Sequence, residues 1–407
     1  MTWPKLINSH SLTLFTKIPV KLHIKAITVR IGIDYTSALK QGGGIGRYTR
    51  GLITSLIELD TENHYTLMST PDAPPNGLAH FRPFPNVAAR QYPLPERWLT
   101  IGWHRLYLPA PVEWFTGPID LFHSPNFILP PTRQAQTLLT VHDLSFIRHP
   151  QGAVDNLRRW LEKVVPRSLN RASHVLADSG STRLDLIDIF NVPPEKITVV
   201  GAGVEERFRP ITAEAPRRAV IQRYNLPDKF ILGLGTLEPR KNFTGLIHAF
   251  SQSPVRETHH LVIAGGKGWL YDDIFAAAAA SPVADRIHLT GFVADADLPA
   301  LYSLADIFAY PSHYEGFGIP VIEAMACGTP VVCANNSSLP EVAGDSALQV
   351  PATDLPALAE ALYLLSIDYS LRENLIFTGF NQARIFNWPA AANRLLTVYQ
   401  TLGHVSR

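Results

Sequence analysis

Short apolar runs recur along the chain, most of them closed by glycine, hydroxyl or charged turn residues and followed by a stretch with helical spacing. Runs of this kind read as strands buried on both faces of a parallel sheet. They fall at Ala26–Ile33, Ile119–His123, Thr137–Val141, His174–Asp178 and Lys196–Val200, then at Lys229–Gly235, His260–Ala264, Ile287–Leu289, Leu304–Tyr310 and Val331–Ala334. Helical spacing fills the intervals, ending at Leu59 after a glycine run, spanning Asp155–Asn170, ending at Phe250, and closing the chain through Leu402. Pro320 suits a first helical turn, while Gly328 and Pro330 suit a helix end. This alternation predicts an α/β protein of two Rossmann-like, doubly wound domains with an interdomain cleft. The predicted boundaries are an N-terminal extension at 1–25, a first domain at 26–209, a second at 210–385 and a terminal helix at 386–407. Residues 61–118 show no readable period. Pro71–Pro111 holds Pro83, Pro85, Pro93, Pro95, Trp98 and Trp103, which predicts irregular loops over the cleft, where ligand specificity would sit.

Composition bounds the possibilities. The chain has 407 residues, 46% of them hydrophobic and 17% charged, enough for two sizeable cores. It holds no run of about eighteen uncharged apolar residues, so a membrane span is not expected. Lys5, Lys17, Lys21 and Lys25 interrupt the first segment, which argues against a secretory signal and for a cytoplasmic protein. Cys327 and Cys333 bracket a helix end and a strand, and read as buried reduced thiols. The net charge is +1, but the positive excess lies in the N-terminal half and the negative excess in the C-terminal half. The basic half suits an anionic ligand or an anionic membrane surface, and is equally what chance surface charge produces. The basic face of Asp155–Asn170, with Arg158, Arg159, Lys163 and Arg167, has the same two readings.

The candidate chemistry concentrates at Tyr310–Asp354. Glu315 lies in a loop with Gly316 and Gly318, and Glu323 lies in the helix that follows. The glycines let a ligand approach the main chain. The helix start offers free N–H groups that suit a phosphate or a sugar oxygen. A carboxylate beside an anion site makes sense where it accepts hydrogen bonds from hydroxyls, so the implied ligand is a nucleotide sugar. The plain alternative makes Glu315 a loop charge and Glu323 a carboxylate favouring the helix dipole. Arg240 and Lys241, beside the glycine turn at Gly235-Thr236, suit a diphosphate. Gly42-Gly43-Gly44 again places a glycine loop before a helix, but the dinucleotide fingerprint Gly-x-Gly-x-x-Gly fails. His123 and His142 fall where strands end, on the side of a parallel sheet that faces a ligand crevice. Asp295-Ala-Asp297 precedes Leu298-Pro299 at a helix start, where acidic residues cap, so it is not read as a metal motif.

The stretch Glu-Gly-Phe-Gly-Ile-Pro-Val-Ile-Glu-Ala-Met-Ala-Cys-Gly-Thr-Pro-Val-Val, from Glu315, resembles the signature of retaining glycosyltransferases of family 4, whose two-domain fold is called GT-B. Gly-Thr-Leu-Glu-Pro-Arg-Lys-Asn from Gly235 matches that family's phosphate-binding motif, and His142-Asp143 resembles its His-Asp. The resemblance runs from about Val29 to the C-terminus. It implies that Glu315 contacts the donor sugar, that Glu323 binds the ribose, and that Gly316, Phe317, Gly318 and Ile319 line the donor. It implies further that Lys241 and Arg240 hold the diphosphate beside Gly235 and Thr236, and that His142 points at the donor sugar. Phe292 and Val293 would hold the base through backbone groups. Gly43 and Gly44 would lie near the donor phosphates and the acceptor, with Arg47 and His123 as weaker acceptor contacts. The last helix would cross back onto the first domain.

The activity implied is hexosyl transfer to an acceptor hydroxyl with retention, without a metal or cofactor. The style of the motifs resembles bacterial mannosyltransferases of polysaccharide or O-antigen assembly. That favours GDP-mannose as donor, with a UDP-hexose second, and a lipid-linked or oligosaccharide acceptor at the cytoplasmic membrane face. The competing readings are a non-catalytic nucleotide-sugar binder and a GT-B epimerase or phosphorylase. No nucleic-acid partner is expected.

Overall fold

A computed structural model describes residues 28–74 and 76–405. The predicted extension at 1–25, and Ala26 and Ile27, lie outside them. Among these residues thirteen strands form two all-parallel sheets. The first contains β1 (Arg30–Asp34), β2 (His64–Ser69), β3 (Val87–Gln91), β4 (Leu121–Ser124), β5 (Gln136–Val141), β6 (His174–Ala177) and β7 (Ile197–Val199). Its order is β3-β2-β1-β4-β5-β6-β7. The second contains β8 (Phe230–Leu234), β9 (His260–Ala264), β10 (Ile287–Gly291), β11 (Ile307–Tyr310), β12 (Val331–Ala334) and β13 (Ala347–Val350), ordered β10-β9-β8-β11-β12-β13. Helices cover both faces, which is why the central strands β4, β8, β11 and β12 are buried at every position.

Each sheet reverses its winding once, between β1 and β4 in the first and between β8 and β11 in the second. At such a point the loops leaving adjacent strands diverge and open a crevice at the carboxyl ends. Two crevices are thus fixed by connectivity alone.

The helix Trp388–Val405 returns to the first sheet and lies along the helix Gly44–Leu59. Glycines allow the approach: a Cβ at Gly51 would stand 2.3 Å from the Trp388 indole, and one at Gly403 would stand 2.5 Å from Val29. Arg394 Nε donates to the Val200 carbonyl at 2.9 Å, and the Tyr399 hydroxyl meets His123 Nδ1 at 2.7 Å.

Several local expectations need correction. Residues 61–118 hold two strands: β2 pairs with β1, and β3 is an edge strand whose side chains are mostly exposed, so no apolar period marks it. Leu304 ends the helix Leu298–Leu304, and β11 begins only at Ile307. Asp297 does not cap its helix with its side chain; its carboxylate accepts from Arg223 at 2.6 Å and from the Tyr224 hydroxyl at 2.7 Å. Cys327 and Cys333 are buried free thiols.

Candidate active site

The crevice between β8 and β11 carries the predicted acidic and basic groups. After β8 the chain turns through Gly235, at φ 151°, which stacks against the Lys241 stem. Asn242 then adopts a left-handed conformation and donates to the carbonyls of Pro311 and Ala352, fastening the turn to the neighbouring loop. Glu315 enters from the loop after β11. Its Oε1 accepts from Lys241 Nζ at 2.7 Å and its Oε2 from Arg240 Nη1 at 2.8 Å. Arg240 also donates to the Tyr314 carbonyl, and Lys241 to the Tyr310 hydroxyl. The Ser338 hydroxyl donates to the carbonyls of Glu315 and Phe317, so the loop is braced from beneath.

Glu315 and Lys241 are buried and Arg240 is partly so, and their charges set one another. Burial pushes the Glu315 carboxyl up, but Arg240 and Lys241 outweigh it and hold it down at about 2. Burial draws the Lys241 ammonium down, against the pull of Glu315. Two cations thus face one carboxylate, and Glu238 takes a second nitrogen of Arg240. A diphosphate arriving here meets cations that are already oriented.

Glu323 lies in the helix Ile319–Ala326, whose N-terminal Gly318 sits at φ 103°. Its carboxylate is 1% exposed and accepts from the Tyr302 hydroxyl at 3.0 Å and from the Arg47 guanidinium. Burial pushes this carboxyl up, and Arg47 opposes that. Arg47 comes from the first turn of the helix Gly44–Leu59, and its pairing with Glu323 shows that the two predicted regions meet. Gly43 and Gly44 open this helix, and nothing lies within 4 Å of where their side chains would begin.

His142 follows β5 and is buried. Its Nδ1 meets Asp178 Oδ2 at 2.8 Å and its Nε2 meets the Pro125 carbonyl at 2.8 Å. Burial lowers its pKa, but the charge and hydrogen bond of Asp178, with the Pro125 carbonyl, together raise it above the ordinary value. The His142 carbonyl lies against Gly316, where a Cβ would stand only 2.2 Å away. The Tyr314 hydroxyl donates to Asp185 at 2.5 Å, and Gly180 N–H donates to Glu341. These contacts join the two halves, and sequence reasoning missed all of them. A tyrosine or glutamate on a turn carries no local sign of its distant partner.

His123 needs correction. It is fully buried, with its ring between Tyr399 and the Thr140 hydroxyl at 2.7 and 2.8 Å, and it stands in the core rather than at the crevice. Burial first, and His142 second, push its pKa down to about 3, so it is a neutral structural group. Of the pair after β10, Phe292 is 71% exposed and Val293 is buried. Thr236 lies beside Gly268, close enough that a Cβ there would touch it.

Two Rossmann-like domains with a charged crevice between them define the GT-B glycosyltransferases. The family descriptions that match are Glycosyltransferase Family 4 over residues 42–208 and Glycosyl transferases group 1 over residues 217–382. The O-antigen chain mannosyltransferase B of Escherichia coli is 35% identical over 309 residues, 75% of this chain and 81% of that protein. The chain belongs to this glycosyltransferase family. A D-inositol 3-phosphate glycosyltransferase of Salinispora tropica is 30% identical over 70% of this chain and 64% of its own length. Longer serotype-specific mannosyltransferases of Escherichia coli are matched over only 28% of theirs. Anabaena HepE, solved with UDP and glucose, shares the fold with a TM-score of 0.68 at 20% identity, over 91% of this chain and 99% of that one. Among the described residues no helix is long and apolar enough to cross a membrane.

Proposed function

We propose that this glycosyltransferase moves a hexosyl group, mannose foremost, from a nucleotide sugar to a glycan hydroxyl, with retention and without a metal. The observation that carries the reading is Glu315 held between Arg240 and Lys241 at the crevice between β8 and β11. Residues 26–209 then carry the acceptor, residues 210–385 the nucleotide, and residues 386–407 the return to the first domain. The acceptor oxygen bonds to the anomeric carbon as the bond from that carbon to the diphosphate oxygen breaks. The electron pair leaves on the nucleoside diphosphate, and the hydroxyl proton passes to a diphosphate oxygen. Charge is the difficulty in this step. Arg240, Lys241 and the open N–H groups at Gly43 and Gly44 stabilise the leaving diphosphate. Glu315 turns to the sugar once the diphosphate takes its cations, and Glu323 exchanges Arg47 for the ribose hydroxyls. The His142 carbonyl backs the Gly316 main chain behind the sugar, with the His142 ring held by Asp178 and the Pro125 carbonyl.

The mannosyltransferase relatives favour GDP-mannose, and the UDP-bound neighbour keeps a UDP-hexose second. Those relatives also favour a role in O-antigen or other surface polysaccharide assembly, with a lipid-linked acceptor met at the cytoplasmic membrane face. Thermal-shift measurement with GDP-, UDP- and ADP-sugars selects the donor. With that donor, Glu315→Ala or Lys241→Ala abolishes transfer in a protein that keeps its far-ultraviolet circular dichroism. Unchanged turnover in either variant sinks the assignment.

A further inference from the structure

The basic face of the helix Asp155–Arg171 divides in two. Arg158 and Arg159 are tied to Asp155 and Glu162 on their own helix. Further along, and one turn apart, Arg167 and Arg171 have no carboxylate partner among the described residues, and both line a cavity of about 300 Å³ on the first domain. That is the lower end of the size of small-ligand sites. The opposite wall is a π-helical turn, Ile101–Arg105, which presents Trp103 and His104, followed by Tyr107. Turns of this kind are rare and collect at functional sites. None of the residues lining the cavity belongs to the crevice between β8 and β11.

The lining is cationic and aromatic, with no acidic side chain. Arg171 donates from Nη1 to the Leu129 carbonyl at 3.0 Å and from Nη2 to the Pro130 carbonyl at 2.6 Å. These bonds fix the guanidinium and leave it donors to spare. Burial draws the Arg171 pKa down, with no counter-charge to restore it. Arg167 donates to the Tyr107 hydroxyl, and its guanidinium stands 5.2 Å from the centre of that ring. Tyr107 is held at φ 55°, a conformation that a bulky side chain resists and that persists only where the surroundings impose it. His104 is neutral, since burial and then Arg171 push it down to about 4, and its ring holds no hydrogen bond among the described residues. Asn170 adds a side-chain amide. Two guanidiniums that face one space repel each other until an anion joins them.

We propose that this cavity binds a phosphate monoester, with Arg167 and Arg171 on the phosphoryl oxygens and Trp103 and Tyr107 against the group that carries it. A phosphoryl group accepts charge-assisted bonds from both guanidiniums and relieves their repulsion. Leu106 and Leu108 flank Tyr107 and are 64% and 49% exposed, so the body of the ester can be a lipid as readily as a sugar. The site asks nothing of the transferase reading, since it holds no nucleotide.

The test is calorimetric titration of the full chain, without nucleotide, with mannose 6-phosphate and with dihexanoylphosphatidic acid. Mannose and dihexanoylphosphatidylcholine are the controls, the same bodies without a monoester. At least one monoester should bind about tenfold or more tighter than its control. Tighter binding of the lipid identifies a headgroup as the source, and equal or tighter binding of the sugar ester identifies a soluble one; either supports the site. Arg167→Gln and Arg171→Gln should each weaken the better monoester by about tenfold. Arg159→Gln, on the same helix but outside the cavity, should change it by no more than about twofold. Arg167→Gln breaks no main-chain contact, so it carries the test if Arg171→Gln unfolds. The proposal is overturned if neither monoester exceeds its control or if Arg167→Gln keeps the wild-type affinity. It is overturned equally if Arg159→Gln loses as much as Arg167→Gln, which would mean general attraction to a basic helix. Loss with Lys241→Met alone would put the phosphate in the donor crevice and sink it as well.

Discussion

Arg47 and Glu323 stand 276 positions apart in the sequence and form a buried ion pair across the crevice. Glu323 is 1% exposed, so the pair is a stake in how the halves meet and not a surface decoration. Removing one partner of such a pair leaves a buried charge, which costs on the order of 3 kcal/mol. Arg47→Ala therefore lowers the denaturant midpoint by a corresponding amount, and adding Glu323→Gln to it recovers part of the loss. A double-mutant cycle in urea checks both; strict additivity would show that the pair does not form in solution.

Gly316 leaves no space for a side chain. A methyl group there would stand 2.2 Å from the His142 carbonyl and 2.9 Å from the Asp143 side chain. Gly316→Ala is expected to hold the halves apart while each folds normally. Small-angle scattering should report a larger radius of gyration, and kcat should fall at least tenfold. An unchanged radius with unchanged kcat would mean that the close approach plays no part in turnover.

Two imidazoles meet across the same seam. His149 and His313 are stacked with centroids 5.1 Å apart, and Arg240 adds its charge near His149. Burial pushes both below the ordinary value of 6.5, and His313 and Arg240 lower His149 further. Because the folded-state values are depressed, the contribution of the neutral rings is full above 6.5. It is lost as pH falls through the depressed values. The seam should loosen below pH 6.5, visible as added hydrogen exchange near Gly152 and His313, and His313→Gln should flatten that response.

Lys241 faces the predicted diphosphate from a buried position, with its charge balanced by Glu315. Lys241→Met keeps most of its volume and removes the charge. Nucleotide diphosphate affinity should weaken at least tenfold by isothermal titration, with a smaller change for the nucleoside alone. Equal losses for both would place the contact elsewhere.

The thiols provide a check on the second core. Burial pushes Cys333 up to about 12 and raises Cys327 as well, so neither offers thiolate near neutral pH. Ellman's reagent should leave both unmodified in the native protein and titrate two thiols after denaturation.

Much of the fold was legible because buried parallel strands leave dense apolar runs. His260–Ala264 and Val331–Ala334 coincide with β9 and β12 for that reason. The edge strand β3 was not legible, since its mostly exposed side chains carry no such pattern. The loop residues Glu315, Lys241 and Arg240 could be singled out because glycines and charges cluster beside them in the chain.

What the sequence determined by itself is most of the buried strands, the helices between them and the family to which they belong. Periodicity and turn chemistry act over a few residues, and the long signature at Glu315–Val332 is contiguous. What only the tertiary structure decided is pairing over long separations: Arg47 with Glu323, Tyr314 with Asp185, Gly180 with Glu341, and His123 with Tyr399 in the core. Such partners are chosen by where two sheets and a returning helix come to rest. No local pattern encodes that, because each side chain is compatible with many partners until packing leaves it one.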